Sequence, residues 1–289
     1  MGVVALLPRV LAIVGAVRFT LDWASEERRA AALLRCNAPP PITMARQMEH
    51  EPEQHPASRD DVPPPAARFG ARAVLAALAL ALMAIPFALL LFLVEARWRP
   101  LLAIDDGTRD DLHAYARRHD EFVTAMKALS TIGSAPVYWV VFGVIVLWLA
   151  WRGRRKTAVF VAVTMLGGAA LNALVKAAVH RARPVLPEPV AHAGGLSFPS
   201  GHAQSAVVAF GLLLLLALPH LRGAWRGAAI GLAAAMVLAI GVSRVALGVH
   251  FVSDVLAGYV LGAAWLAAMA AAFDQWRRES GSRERLSLA

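Results

Sequence analysis

The sequence predicts an all-α integral membrane protein: a six-helix bundle with external loops. Three observations carry that expectation. The 289 residues are 58% hydrophobic and only 17% charged, with a mean hydropathy of +0.55. The apolar residues gather into runs of 16 to 24 positions without a charged side chain. The basic residues gather in short segments between those runs. A soluble domain is nearer half apolar and a quarter charged, so an ordinary soluble enzyme, a disordered chain and a coiled coil are excluded. The formal charge of +9 follows membrane topology, and no nucleic-acid partner is expected. The single cysteine, Cys36, rules out an intrachain disulfide framework.

Residues 1–72 read as an N-terminal extension. Positions 2–17 are apolar but interrupted by Pro8 and Arg9, with no small-residue cleavage site after them. Residues 37–65 are rich in proline and charge and read as disordered linker. Met44 or Met48 is a candidate alternative start. Six apolar stretches then match the roughly 20 residues needed to cross a hydrocarbon core of about 30 Å: 73–94, 128–151, 157–175, 203–219, 227–242 and 255–273. Pro86 is expected to kink the first. The fifth extends past Arg244 if that side chain faces protein or water. Residues 274–289 read as a basic tail.

Orientation follows from the short loops. Arg152, Arg154, Arg155 and Lys156 separate the second and third spans, Arg222 and Arg226 the fourth and fifth, and Arg277, Arg278, Arg283 and Arg285 follow the sixth. The positive-inside rule makes those ends cytoplasmic. Six spans then place both termini inside and leave 95–127, 176–202 and 243–254 external. The first external segment holds seven acids and six bases. Its stretch 112–126 spaces Leu112, Tyr115, Phe122 and Met126 as an amphipathic helix would. An interfacial helix and a solvated loop helix both fit.

Ionisable groups are costly in lipid, and the spans contain none apart from Arg244. A proton-driven transporter would place carboxylates near mid-membrane. Here the unusual polar residues gather at the outer ends of the third to sixth spans, in three groups. Lys176, one of three lysines in the chain, precedes Arg183-Pro184 by six intervening residues. Phe198-Pro199-Ser200-Gly201-His202 opens the fourth span. Ser243-Arg244, His250 and Asp254 bridge the fifth and sixth. Each group alone has a bland explanation: a snorkelling lysine, a serine-capped turn, an aspartate capping a helix. Together they put basic residues on the side where topology disfavours them, and a bundle would bring them to one pocket.

Two fixed arginines and a lysine without a matching set of acids suit a dianion such as phosphate. Ser200 and the amides around Gly201 add donors. His250 and Asp254 are one helical turn apart, so the carboxylate can hold one imidazole nitrogen and leave the other free as nucleophile. His202 can serve as general acid. This set fills every role of a two-step phosphatase without a metal or other cofactor. Zinc on two histidines and an aspartate is the competing chemistry, opposed by the crowded cations. His180, His192 and His220 stand in no equivalent sequence pattern and read as loop or cytoplasmic residues.

The three groups resemble the signature of the type 2 phosphatidic acid phosphatase family, within the superfamily of bacterial acid phosphatases and vanadium haloperoxidases. The family pattern is Lys, six residues, Arg-Pro; Pro-Ser-Gly-His; Ser-Arg, five residues, His, three residues, Asp. This chain carries it without departure at positions 176–184, 199–202 and 243–254. The resemblance covers about 73–273. It implies that His250 forms a phosphohistidine, Asp254 orients it, and His202 is the acid. It implies that Lys176, Arg183, Ser200, Gly201 and Arg244 bind phosphate. The expected protein is a six-span lipid phosphatase of a bacterial cytoplasmic membrane, acting at the outer face. An isoprenyl (undecaprenyl) diphosphate is the first substrate expected; phosphatidate, phosphatidylglycerophosphate and lipid A phosphates are the alternatives. An anion transporter should show polar lining through the spans, and an inactive scaffold could dispense with His250. Gly258 and Gly262 form a small-residue packing motif; inside a bundle it serves intramolecular packing more often than oligomerisation.

Overall fold

The computed structural model describes residues 84–286, and every regular element there is a helix. The expected extension, its linker and candidate starts, and the first half of the expected first span lie outside the described residues. In chain order the helices are α1 (Ala84–Glu95), α2 (Arg99–Ala116), α3 (Asp120–Ile132), α4 (Ala135–Trp151), α5 (Arg155–Val179), α6 (Gly201–Ala217), α7 (Ala224–Ala246) and α8 (Val252–Leu286). A 3₁₀ turn at Leu218–His220 extends α6.

Five segments are long and apolar enough to cross a membrane: Asp120–Trp151, Arg155–Val179, Gly201–His220, Ala224–Ala246 and Val252–Asp274. The chain is therefore a membrane protein with five such segments among the described residues, where the sequence predicts six. The missing one is the first, of which α1 is the described part. Leu147, Leu174, Leu232 and Leu238 point out of the bundle, as lipid-facing side chains should.

Several boundaries differ from the sequence expectation for identifiable reasons. The helix expected over 112–126 is broken into α2 and α3. His119 leaves helical geometry at φ −139°, and Asp120 and Glu121 occupy the first turn of α3, where the helix dipole favours acids. One face of α2 (Leu101, Asp105, His113 and Ala116) is buried against α7 and α8, so this helix is part of the bundle. The segment expected as span 128–151 breaks at Gly133, the C-cap of α3, before Ser134 and Pro136 open α4. A β-carbon at Gly133 would lie 2.5 Å from Ile240 of α7. Helix α7 continues past Arg244, which is buried in protein. Helix α8 continues beyond residue 273 through most of the expected tail.

Lipid tails are as apolar as leucine, so helices in a membrane associate through close packing and interhelical hydrogen bonds. The most extensive helix contact, α6 with α8, shows both features. A β-carbon at Gly258 would stand 2.6 Å from the Ser200 carbonyl oxygen, and one at Gly262 would stand 2.8 Å from that of Gln204. The two glycines thus let the helix backbones touch, and the motif serves packing within the chain. Asn172 Nδ2 donates to Gln204 Oε1 (2.6 Å), whose own amide donates to the Gly168 carbonyl (2.8 Å), linking α5 to α6. Trp265 Nε1 donates to the Thr164 carbonyl (2.8 Å), linking α8 to α5. Tyr138, Phe142, Phe160, Val161 and Leu212 fill the core between α4, α5 and α6.

Candidate active site

Helices that alternate in direction bring the C-terminal ends of α5 and α7 beside the N-terminal ends of α6 and α8. All three sequence groups sit at those ends. The Ser200 amide donates to the Asp254 carbonyl (2.9 Å), which fixes the start of α6 against the start of α8. The turn from α7 to α8 depends on Gly248, whose φ of +69° suits glycine; a side chain there would also strike Leu186.

His250 is 1% and Asp254 0% exposed. His250 Nδ1 lies 3.4 Å from Asp254 Oδ2 and 3.4 Å from Ser197 Oγ. Asp254 Oδ2 also accepts from Ser197 Oγ (2.5 Å) and from the Phe251 amide (2.9 Å). On the other side of the ring, Arg183 Nη1 is 2.9 Å from His250 Nε2. A guanidinium can only donate, so Nε2 is the acceptor and the ring proton belongs on Nδ1. The unprotonated nitrogen therefore faces the cations. Burial lowers the His250 pKa to about 4, against the upward pull of Asp254 and with Arg183 and Arg244 adding to the lowering. The imidazole is neutral at physiological pH.

The expected phosphate-binding residues converge on this ring. Arg183 also donates to the carbonyls of Val249 (2.7 Å), Gly194 (3.1 Å) and Gly195 (3.1 Å). Burial holds its guanidinium below the ordinary value while Asp254 opposes the shift. Lys176 does not snorkel outward. Its Nζ turns in to the Leu196 (2.6 Å) and Ser197 (3.2 Å) carbonyls, within electrostatic reach of Arg183 and Asp254. Arg244 is 7% exposed, donates from Nη1 to Ser130 Oγ, and keeps a buried Nε with no partner. That Nε is a donor available to an anion.

The remaining group opens α6. Ser200 is its N-cap and accepts from the Ala203 amide (3.5 Å). Gly201 approaches Asn172, with 3.2 Å from a β-carbon position to Oδ1. His202 hydrogen-bonds the backbone of Ser130 and lies within electrostatic reach of Arg244, His250 and Arg183. The structure thus places the candidate catalytic and phosphate-binding residues at one end of the bundle. Among the described residues, no group of three or more His, Cys, Asp or Glu side chains is placed to hold a metal ion.

Four participants were given no role from the sequence, although Arg181 stands among the basic residues on the outer side. Ser130 on α3 supports Arg244 and His202. Ser197 shares Asp254 with His250. Arg181 Nη1 donates to Asp254 Oδ1 (2.7 Å), and Asp105 of α2 receives Arg181 Nη2 (2.9 Å). Ser197 directly precedes the second group and Arg181 lies inside the first, so proximity to the groups was their signal. Ser130 and Asp105 carried none, because their roles arise from packing between distant helices.

Residues 157–278 match the model of the PAP2 superfamily. The chain is similar to phosphatidylglycerophosphatase B of Bacillus subtilis (strain 168), with 36% identity over 94 residues. That alignment takes in 32% of this chain and 46% of the relative, so the chain spans about half the length of the curated relative it matches. Among solved structures, the fold is similar to the first transmembrane PAP2-type phosphatidylglycerolphosphate phosphatase from Bacillus subtilis. The TM-score is 0.61 at 22% identity, over 68% of this chain and 96% of that one. At that identity the likeness is one of fold.

Proposed function

We propose that the chain, whose residues 157–278 match the PAP2 superfamily model, is a membrane lipid phosphatase working through a phosphohistidine on His250. The observation that carries this reading is the two-sided setting of the His250 ring. Nδ1 is backed by the Asp254 carboxylate, and Nε2 presents its lone pair to Arg183 in a cluster with Lys176 and Arg244.

A substrate phosphoryl group takes the Arg183 donor from Nε2 onto its own oxygen, with Lys176, Arg244 Nε, the Ser200 hydroxyl and the α6 amides around Gly201 completing the cradle. Such donors stabilise charge on the equatorial oxygens of the transition state. The Nε2 lone pair forms the N–P bond as the P–O bond to the lipid breaks, and protonated His202 gives its proton to the departing oxygen. His202 then accepts a proton from water, whose oxygen attacks phosphorus. The N–P bond breaks, phosphate leaves, and both histidines return to their starting states. Asp254 compensates the positive charge on the phosphorylated ring. No step calls on a metal or cofactor.

The positive-inside rule puts the arginine-rich α4–α5 and α6–α7 loops in the cytoplasm, so the site opens at the outer face and receives substrate by diffusion within the bilayer. With the first span counted as expected, both termini are cytoplasmic. The name of the Bacillus subtilis relative places phosphatidylglycerophosphate first among the lipids to test. An isoprenyl diphosphate, expected from the motif resemblance, is tested beside it. The experiment is a screen of purified full-length protein against lipid phosphates for released orthophosphate, with and without a strong chelator. His250→Ala should abolish both release and covalent labelling by substrate ³²P. Turnover by that variant, or the absence of any hydrolysed lipid phosphate, would overturn the reading. Loss on chelation restored by added metal would revive zinc chemistry.

A further inference from the structure

We propose that Arg181 and Asp105 are positioning residues: Asp105 anchors the Arg181 guanidinium, which clamps the Asp254 carboxylate and so fixes the working tautomer of His250. The inference rests on the phosphatase reading above. Asp105 is fully buried. Its Oδ1 accepts from the Ser253 amide (2.9 Å), and its Oδ2 accepts from Ser253 Oγ (2.5 Å) and Arg181 Nη2 (2.9 Å). Arg181 Nη1 donates to Ser253 Oγ (2.7 Å) and Asp254 Oδ1 (2.7 Å), and the guanidinium lies 4.3 Å over the Phe251 ring. Asp254 thus divides its oxygens. Oδ1 is held by Arg181, leaving Oδ2 for His250, Ser197 and the Phe251 amide.

A buried charge needs a partner, and Arg181 is the cation that the two buried carboxylates share. It differs in kind from Arg183. Three of its donors are committed to Asp105, Ser253 and Asp254 on the side of the carboxylate away from His250, whereas Arg183 reaches Nε2 itself. Asp105 reaches the site from α2, outside the residues that match the superfamily and outside all three sequence groups. The position of α2 therefore bears on catalysis, although no α2 residue touches the reacting atoms.

Charge gives the arrangement a signature that a purely structural role lacks. The His250 ring is faced by Asp254 of α8, Arg244 of α7, His202 of α6 and Arg183 of the α5–α6 loop, while Lys176 of α5, Arg181 of the same loop and, through Arg181, Asp105 of α2 act on it by way of Asp254. Arg181→Gln leaves Asp254, the carboxylate beside the ring, without its cation and favours the imidazolium. The acid limb of kcat then rises by about one pH unit, with kcat down roughly 10- to 100-fold. Asp105→Asn removes an anion instead, so the limb holds or moves down while kcat falls. Arg181→Lys keeps the limb near that of the parent but cannot span both carboxylates, so it rescues only part of kcat. KM should stay within about threefold throughout, because none of these groups is proposed to bind phosphate.

The test measures kcat, KM and pH profiles of the full-length protein in detergent on its best lipid phosphate. Inhibition by vanadate, a phosphate mimic, reports whether the cradle is intact. A raised acid limb in Arg181→Gln that Asp105→Asn does not share, with kcat lowered in both and vanadate affinity retained, supports the proposal. Unchanged kcat and limb in Arg181→Gln overturn it while leaving His250 as nucleophile. Loss of vanadate binding along with kcat in all three variants assigns the cluster to folding and also overturns it. Turnover by His250→Ala instead sinks the underlying reading.

Discussion

Replacing Asp254 by asparagine removes one charge from a side chain that accepts four hydrogen bonds and can donate none. Arg181 Nη1 sits on Oδ1; Ser197 Oγ, the Phe251 amide and His250 Nδ1 share Oδ2. An asparagine keeps one acceptor. With its oxygen toward His250, its NH₂ faces the Arg181 donor; turned around, its NH₂ faces the ring and stabilises the tautomer protonated at Nε2, which cannot attack phosphorus. The first arrangement breaks a buried ion pair, which costs about 3–5 kcal/mol when one partner is removed. The second removes the nucleophile, and the analogous change in a serine-protease triad lowers kcat about 10⁴-fold. For Asp254→Asn the expectation is a kcat about 10³- to 10⁴-fold lower, or about 4 to 5.5 kcal/mol of transition-state stabilisation. KM should change little, because Asp254 does not meet the phosphate. The assay is orthophosphate release over a substrate range, with the yield of ³²P-labelled enzyme from a rapid quench. Retention of more than about a tenth of the parent kcat in properly folded Asp254→Asn would refute the reasoning.

Three other outcomes follow from the same geometry. Arg183→Lys should raise KM by about 10- to 100-fold and lower kcat less, because a lysine cannot hold Val249, Gly194 and Gly195 while also presenting a fork to phosphate; an unchanged KM would remove Arg183 from the cradle. With the His250 pKa lowered from 6.5 to about 4, the nucleophile stays neutral as pH falls through 6.5. Between those values the unfolded chain binds the extra proton, so stability should decline as pH drops from about 6.5 to 4. Thermal unfolding of the parent and His250→Gln across that window checks the sign: the parent should lose more. Gly258→Val should push α8 off the Ser200 carbonyl and the Ala203 side chain, costing about 1–3 kcal/mol or more; a melting temperature equal to that of the parent would show that the helices are not so closely packed.

Composition and spacing alone were enough to read the all-α membrane class and to nominate the candidate site residues. Uncharged runs long enough to cross a bilayer force helices, since backbone polar groups in lipid must be satisfied within the segment. Alternation of those helices carries Lys176, Arg183, Ser200, His202, Arg244, His250 and Asp254 to one end whatever the detailed packing. Tertiary structure decided what local patterning could not encode. The inward turn of Lys176, the burial of Arg244 and the choice of Nε2 as the open nitrogen all depend on neighbours outside their own segment. Asp105 shows the difference best. Beside Asp106 in an acidic stretch it reads as solvated, yet packing of α2 against α8 buries it completely. A carboxylate stays there only because Arg181 and Ser253 arrive from 76 and 148 residues away.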